Sequence, residues 1–197
     1  MGRKKRVEDD ALLAVAREVF VEGGFGASTR DIARRADVSE AVLFQRFRTK
    51  PELFFAAMVP PPPDIHAILV SQPAPHDPSA HLEEIGLRML AYLRDVTPIL
   101  LPLVSHPDFD YDAFIERRPG SPLNQLVTGL RGWFAWLEER GAVVPGSADT
   151  MAMTMVAAMT SLALFERIGV HGGEMEEHRV RAIARLIWRG GETVRST

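Results

Sequence analysis

Apolar residues recur three and four positions apart along most of this chain, the spacing of one face of an α-helix. Leu12, Val15, Ala16, Val19 and Phe20 form such a face and predict a helix over residues 8–22, closed by Gly23-Gly24. The next stretch, STRDIARRADVSEAVLFQRFRTK (28–50), reads as two short helices around a tight turn. Ile32, Ala33 and Ala36 make the apolar stripe of the first; Ser28 is its N-cap candidate, and Asp31 completes a capping-box-like pair. Asp37-Val38 breaks the run, Ser39 offers a second N-cap, and Glu40 suits the positive end of the following helix. Val38, Leu43 and Phe47 give that helix a core side and leave Glu40, Ala41, Gln45 and Arg46 on the other. Two short helices joined this way make a helix-turn-helix, whose second helix can enter a DNA major groove.

Pro51 suits the first turn of a fourth helix, PELFFAAMV, and the four prolines at 60–63 stop it. The chain stays proline-rich to Pro78, with one short apolar piece at 65–70. This boundary divides the sequence into a helix-turn-helix domain at residues 1–58 and a helical ligand-binding and dimerisation domain at 79–197. The connection, 59–78, is stiff rather than flexible, because consecutive prolines hold an extended backbone. Beyond Ser79 the pattern is helical: 81–94, a short or kinked piece at 97–104 punctuated by Pro98 and Pro102, then a strong helix at 122–140 and further helices at 148–168 and 174–189. Residues 105–120 read as a loop with about one helical turn. No strand pair stands out. The expected fold class is all-α.

In TMAMTMVAAMTSLALF (150–165) apolar side chains cover nearly the whole circumference, so the helix must be buried on more than one side. The last helix carries a stripe of Val180, Ile183, Ala184 and Ile187. Pairing the two helices with their copies gives a four-helix, two-fold interface through Met155, Leu162, Val180, Ile183 and Ile187. The other reading is a central helix of a monomeric bundle. The homodimer is preferred because a helix-turn-helix gains affinity from two half-sites one DNA turn apart.

Composition narrows the class. No apolar run reaches about 18 residues without a charge, which argues against a membrane-spanning helix and a membrane partner. The start, MGRKKRVEDD, has no apolar segment of the secretory kind, and the absence of cysteine excludes disulfides and thiolate metal sites. A cytoplasmic protein is expected. The net charge of −3 hides an asymmetry: residues 1–50 hold 11 Lys+Arg against 8 Asp+Glu, and the rest hold 12 against 18. A basic head on an acidic body fits a DNA-binding domain joined to a part that does not touch DNA. Arg3–Arg6 fit either a phosphate-binding arm or a solvated one.

Catalytic patterns are missing. There is no glycine-rich phosphate loop, no His-Glu-x-x-His and no Gly-x-Ser-x-Gly. Ser105, His106 and Asp108 stand too close in sequence to aim at one another as a triad. His81 with Glu84 lacks further ligands for a metal, and the other histidines are scattered. The expectation is no enzyme, no cofactor and no metal.

Residues 11–50 carry a family resemblance. AREVFVEGGF, STRDIARRADVS, LFQRF and the TK before the fourth helix resemble, in order and spacing, the DNA-binding domain of TetR-family (tetracycline-repressor-like) transcriptional regulators. The resemblance implies a homodimeric repressor of a roughly palindromic operator on double-stranded DNA, released by a small effector bound in the C-terminal bundle. It implies that Thr29, Arg30, Ser39, Phe44, Arg46 and Lys50 lie against the DNA backbone and that Glu40, Ala41, Val42 and Gln45 face base edges. Gln45 can pair bidentately with adenine, and Ala41 or Val42 can touch a thymine methyl. The effector pocket is expected among Leu100, Tyr111, Phe114, Leu130, Trp133, Phe134, Met155, Met159 and Phe165, and such a lining suits an apolar or amphipathic molecule. Three positions depart from the family pattern. Asp37 stands where glycine is common, and Phe44 and Arg46 stand where tyrosine and histidine are usual. A competing reading keeps the same helices but has the helix-turn-helix contact protein instead of DNA.

Overall fold

The structure is a computed structural model that describes residues 2–69, 77–117 and 120–193. The side chains of Arg3–Arg6, which the charge pattern singles out, lie outside the described residues. Among those residues the chain is all-α, with one isolated antiparallel bridge between Val143 and Glu192. It divides into two compact units, Met1–Pro60 with Pro98–Phe114, and Pro61–Thr97 with Ile115–Thr197.

The first unit contains α1 (Gly2–Gly23), α2 (Thr29–Arg35), α3 (Glu40–Arg46) and α4 (Lys50–Ala57). Leu12, Ala16, Val19 and Phe20 bury the predicted face of α1 against Ile32, Ala33, Leu43, Leu53, Phe54 and Ala57. Two aromatic edges tighten this core, with Phe54 meeting Phe20 at 5.1 Å and Phe25 at 5.3 Å between ring centroids. Ile99 and Leu103, four residues apart on one helix face, are buried in the same core. The segment 98–114 therefore groups with the N-terminal residues, whereas the sequence reading places it with the C-terminal ones.

The second unit begins with α5 (Ile65–Leu69) and the first twenty residues of α6 (Pro78–Val104). It continues through α8 (Pro122–Glu138), α9 (Ala148–Arg167), a 3-10 turn at Val170–Gly172 and α10 (Glu177–Gly191); α7 (Tyr111–Arg117) precedes them, its first four residues grouped with the first unit. Pro98 and Pro102 stand inside α6, which runs as one 27-residue helix, so the short piece expected at 97–104 is the end of a longer helix. The Thr97 hydroxyl donates to the Leu93 carbonyl at 2.7 Å in the turn just before Pro98, the residue at which the division between units falls. Met89, Leu90, Leu130, Phe134, Met155 and Met159 form the centre of the second core.

Stiff connections hold this unit's edges. The Tyr92 hydroxyl donates to Pro61 at 2.7 Å, and Arg88 donates to the Ala67 carbonyl at 2.8 Å, so part of the proline-rich stretch is pinned to α6. Burial pushes the Tyr92 hydroxyl up to about 12. At Gly129 a Cβ would come within 2.9 Å of Ile65, so the missing side chain lets α5 sit on α8. Arg94 of α6 pairs with Glu166 of α9 through two bonds of 2.8 and 2.9 Å, and the Glu166 carboxylate also accepts from the Met175 amide. Helix α9 is long and apolar enough by composition to cross a membrane, but Met151, Met155, Val156 and Met159 bury one side of it in this core.

Candidate nucleic-acid interface

The interface is built by α2, the turn after it, and α3. The N-cap of α2 is Ser28 in extended conformation, but its side chain makes no capping bond. Asp31 does not close a capping box either. It turns instead to Arg34 and, at 2.9 Å, to Arg35. Arg35 is the centre of a surface network, because it also holds Glu22 of α1 through two bonds of 3.1 and 2.8 Å. Its hydrogen bond holds the Glu22 carboxyl below the usual carboxylate range, and the Arg34 bond does the same first for Asp31. This network ties α1 to α2 at the surface, where the core residues Ile32 and Ala33 tie them inside.

Asp37 turns the chain in the left-handed region, with φ at +53°. The amide of Val38 then donates to the Ala33 carbonyl at 3.0 Å, closing the end of α2. Ser39 caps α3 as its position predicts, accepting from the Val42 amide at 3.2 Å. Thr49 caps α4 in the same manner, and the Glu52 carboxylate reaches back to the Arg48 amide at 3.1 Å. With Leu43 buried as the inward anchor of α3, Ala41, Phe44 and Gln45 are exposed on its outer side and Val42 is half-buried. The outward side of a second helix in a helix-turn-helix is the side that reads base edges.

The charged residues expected at DNA are already engaged within the unit. The Thr29 hydroxyl donates to Glu40 Oε1 at 2.7 Å, and Arg30 Nε lies 3.7 Å from Glu40 Oε2. Arg46 does not stand apart as a phosphate ligand: its guanidinium pairs with Asp9 of α1 at 2.9 Å, and both side chains are largely covered. Lys50 lies with its ammonium 4.9 Å from the centre of the Phe25 ring. Arg30, Arg34, Arg48 and Ser39 are exposed.

Sequence reasoning missed two residues in this unit. Asp9 gave no signal, since a single carboxylate on an amphipathic helix looks like any solvated one. His106 was counted among scattered histidines, but its ring sits among Phe25, Phe54 and Phe55 at 4.4, 5.2 and 5.0 Å. Its Nδ1 accepts from the Asp108 amide at 3.1 Å, while the buried Nε2 has no hydrogen-bond partner. An imidazole accepting at Nδ1 carries its proton on Nε2, here directed among aromatic rings.

The remaining expected sites are dispersed. Leu100 and Phe114 pack on the first core and Tyr111 is exposed, whereas Leu130, Phe134, Met155 and Met159 are fully buried in the second. Trp133 borders that second core and stacks on His81, with Phe165 at the surface. The nine residues expected around an effector thus belong to two separate units. Of the expected dimer residues, Met155, Leu162 and Val180 are buried among residues of their own chain, and Ile183 and Ile187 are half-buried. The side of α9 that stays at the surface carries Met153, Ala157, Ser161, Phe165 and Ile168 instead. Among the described residues no three His, Cys, Asp or Glu side chains come together in a way that could hold a metal.

A capped recognition helix with an uncovered outer side, set by a left-handed turn against a preceding short helix, defines the first unit as a DNA-binding helix-turn-helix domain. Residues 12–57 match the family described as bacterial regulatory proteins, tetR family. Solved structures agree over nearly the full length. A transcriptional regulator from Rhodococcus sp. Rha1 is 25% identical, with 94% of this chain and 98% of that one covered and a TM-score of 0.62. A candidate TetR-family regulator from Mesorhizobium loti is 16% identical, with 96% of both chains covered and a TM-score of 0.68. NalD of Pseudomonas aeruginosa, the secondary repressor of the MexAB-OprM multidrug efflux pump, is 18% identical, with 95% and 97% covered and a TM-score of 0.60. Residues 12–57 thus carry a DNA-binding domain of the tetR-family type, and the chain shares its fold with these solved regulators.

Proposed function

We propose that this regulator is a cytoplasmic homodimeric repressor that binds a roughly palindromic operator and is released by a small apolar or amphipathic effector. The observation that carries the DNA reading is the outer side of α3, where Ala41, Phe44 and Gln45 are uncovered while Leu43 anchors the helix from below. Gln45 is the base reader, because its amide can donate and accept at once on an adenine edge. Lys50 and Arg30 supply charge to phosphates on either side of it. The repressor role follows what is said of NalD, and Met155 and Met159 at the centre of the second core suit a pocket that reshapes around an apolar effector. The second copy docks on the surface side of α9, through Met153, Phe165 and Ile168, because Met155 and Val180 are used within the chain.

The test is operator selection from a random-sequence duplex pool with the full chain, followed by gel retardation at several salt concentrations. Gln45→Ala is expected to lose about 1–3 kcal/mol and to relax preference at one base pair of each half-site. Lys50→Ala is expected to weaken all sequences alike and to lower the salt slope by about one. Unchanged base preference in Gln45→Ala would reject its assignment. Absence of any salt-sensitive DNA binding would favour a helix-turn-helix that contacts protein.

A further inference from the structure

Glu40 is out of place on a surface meant for phosphates. A carboxylate there repels the DNA backbone unless it accepts from a cytosine amino group. Its geometry points elsewhere. Oε1 accepts from the Thr29 hydroxyl at 2.7 Å and Oε2 lies 3.7 Å from Arg30 Nε, so both oxygens are engaged by residues of α2. Thr29 and Arg30 are two of the groups assigned to the backbone of the operator. A carboxylate and a phosphate oxygen use the same donors in the same way, as charged acceptors of hydroxyl and guanidinium hydrogens.

Resting on the DNA-binding reading above, we infer that Glu40 is an internal competitor for phosphate: it holds Thr29 and Arg30 until a DNA phosphate displaces its carboxylate. It is a positioning residue and reads no base. Displacement works against every DNA sequence equally, because every duplex presents the same phosphates. Glu40 therefore lowers operator and non-specific affinity by a common factor and leaves base preference alone. It also weakens the salt dependence, since the carboxylate released on binding gathers a counterion while the phosphate sheds one.

The experiment uses the full chain, its selected operator and a random-sequence duplex. Glu40→Gln keeps the shape of the side chain and removes its charge. It is expected to bind both duplexes more tightly by one common factor, roughly three- to tenfold, with a salt slope steeper by up to about one. Asp37→Asn removes an equal charge from the neighbouring turn and serves as the control for long-range charge. The double variant Thr29→Val/Glu40→Gln reads the pair directly: the gain from Glu40→Gln shrinks when the hydroxyl is absent. Three results would overturn the inference: gains equal to those of Asp37→Asn, additivity with Thr29→Val, or a change confined to one operator base pair. If the wild-type chain bound neither duplex in a salt-dependent way, the regulator reading itself would fall.

Discussion

Asp37 sits at φ +53°, which no other described residue except glycine adopts. The left-handed conformation crowds a Cβ against the following carbonyl, and aspartate tolerates it better than most residues because its short polar side chain can bond locally. Replacement by alanine removes that tolerance. Asp37→Ala is expected to cost about 1 kcal/mol in urea unfolding, whereas Asp37→Gly costs nothing or stabilises, since glycine has no Cβ to crowd. Equal stability of the two variants would mean the turn carries no strain. At the same scale, Arg46 shows how context reassigns a residue. Its position on α3 suggests a phosphate contact, but the Asp9 carboxylate 2.9 Å away makes it a tie between α1 and α3.

The elements of the second unit are joined by charge as well as by apolar packing. Glu166 of α9 is nearly buried, and the Arg94 hydrogen bonds, with help from the Met175 amide, hold its carboxyl below the usual carboxylate range although burial opposes them. A group whose folded-state value is depressed contributes stability above its unfolded value, near 4.5, and that contribution is lost as pH falls through the folded value. Stability measured by urea unfolding is therefore expected to fall as pH drops below about 4.5, with a shallower fall in Glu166→Gln. Arg94→Ala is the harsher change, because it leaves the carboxylate covered and unpaired; it should cost several kcal/mol, about 3 in a site this enclosed. If wild type and Glu166→Gln lost stability in parallel across that range, the Arg94 pair would not be the cause. Elsewhere the elements follow their local signals: Ser39 caps the helix that the sequence assigns to it, and Thr49 caps the next. Ser28 makes no such bond, and Asp31, its expected partner, is drawn to two arginines one turn away.

For the whole molecule the proposal is a dimer formed through the surface side of α9. Phe165→Glu places a charge there and should reduce the mass in light scattering to that of one chain, with helical content and melting temperature nearly kept. Met155→Glu places the same charge in a fully buried position, and it should lower the melting temperature sharply whatever the oligomeric state, because an unpaired charge in an apolar core is severely penalised. A Phe165→Glu chain that keeps a dimer mass would remove this face from consideration. The periodic pattern of 150–165 showed that the helix was apolar all round, but not which residues its own bundle covered. Burial assigns Met155 and Leu162 inward and leaves Met153, Phe165 and Ile168 outward.

The helix-turn-helix was legible in the sequence because it is made by near neighbours. Its caps, its turn and its apolar stripes involve residues three to five positions apart, and local rules govern such contacts. The all-α class was legible for the same reason. Partnerships across long separations were not: Asp9 with Arg46, Arg94 with Glu166, and His106 among Phe25, Phe54 and Phe55 depend on which helix lies beside which. The membership of Ile99 and Leu103 in the N-terminal core is of this kind as well. So is the contact of Glu40, whose carboxylate meets Thr29 and Arg30 of α2. Periodicity decides which side of a helix is apolar, but only the packed structure decides what each charged side chain meets, because that choice lies with residues far away along the chain.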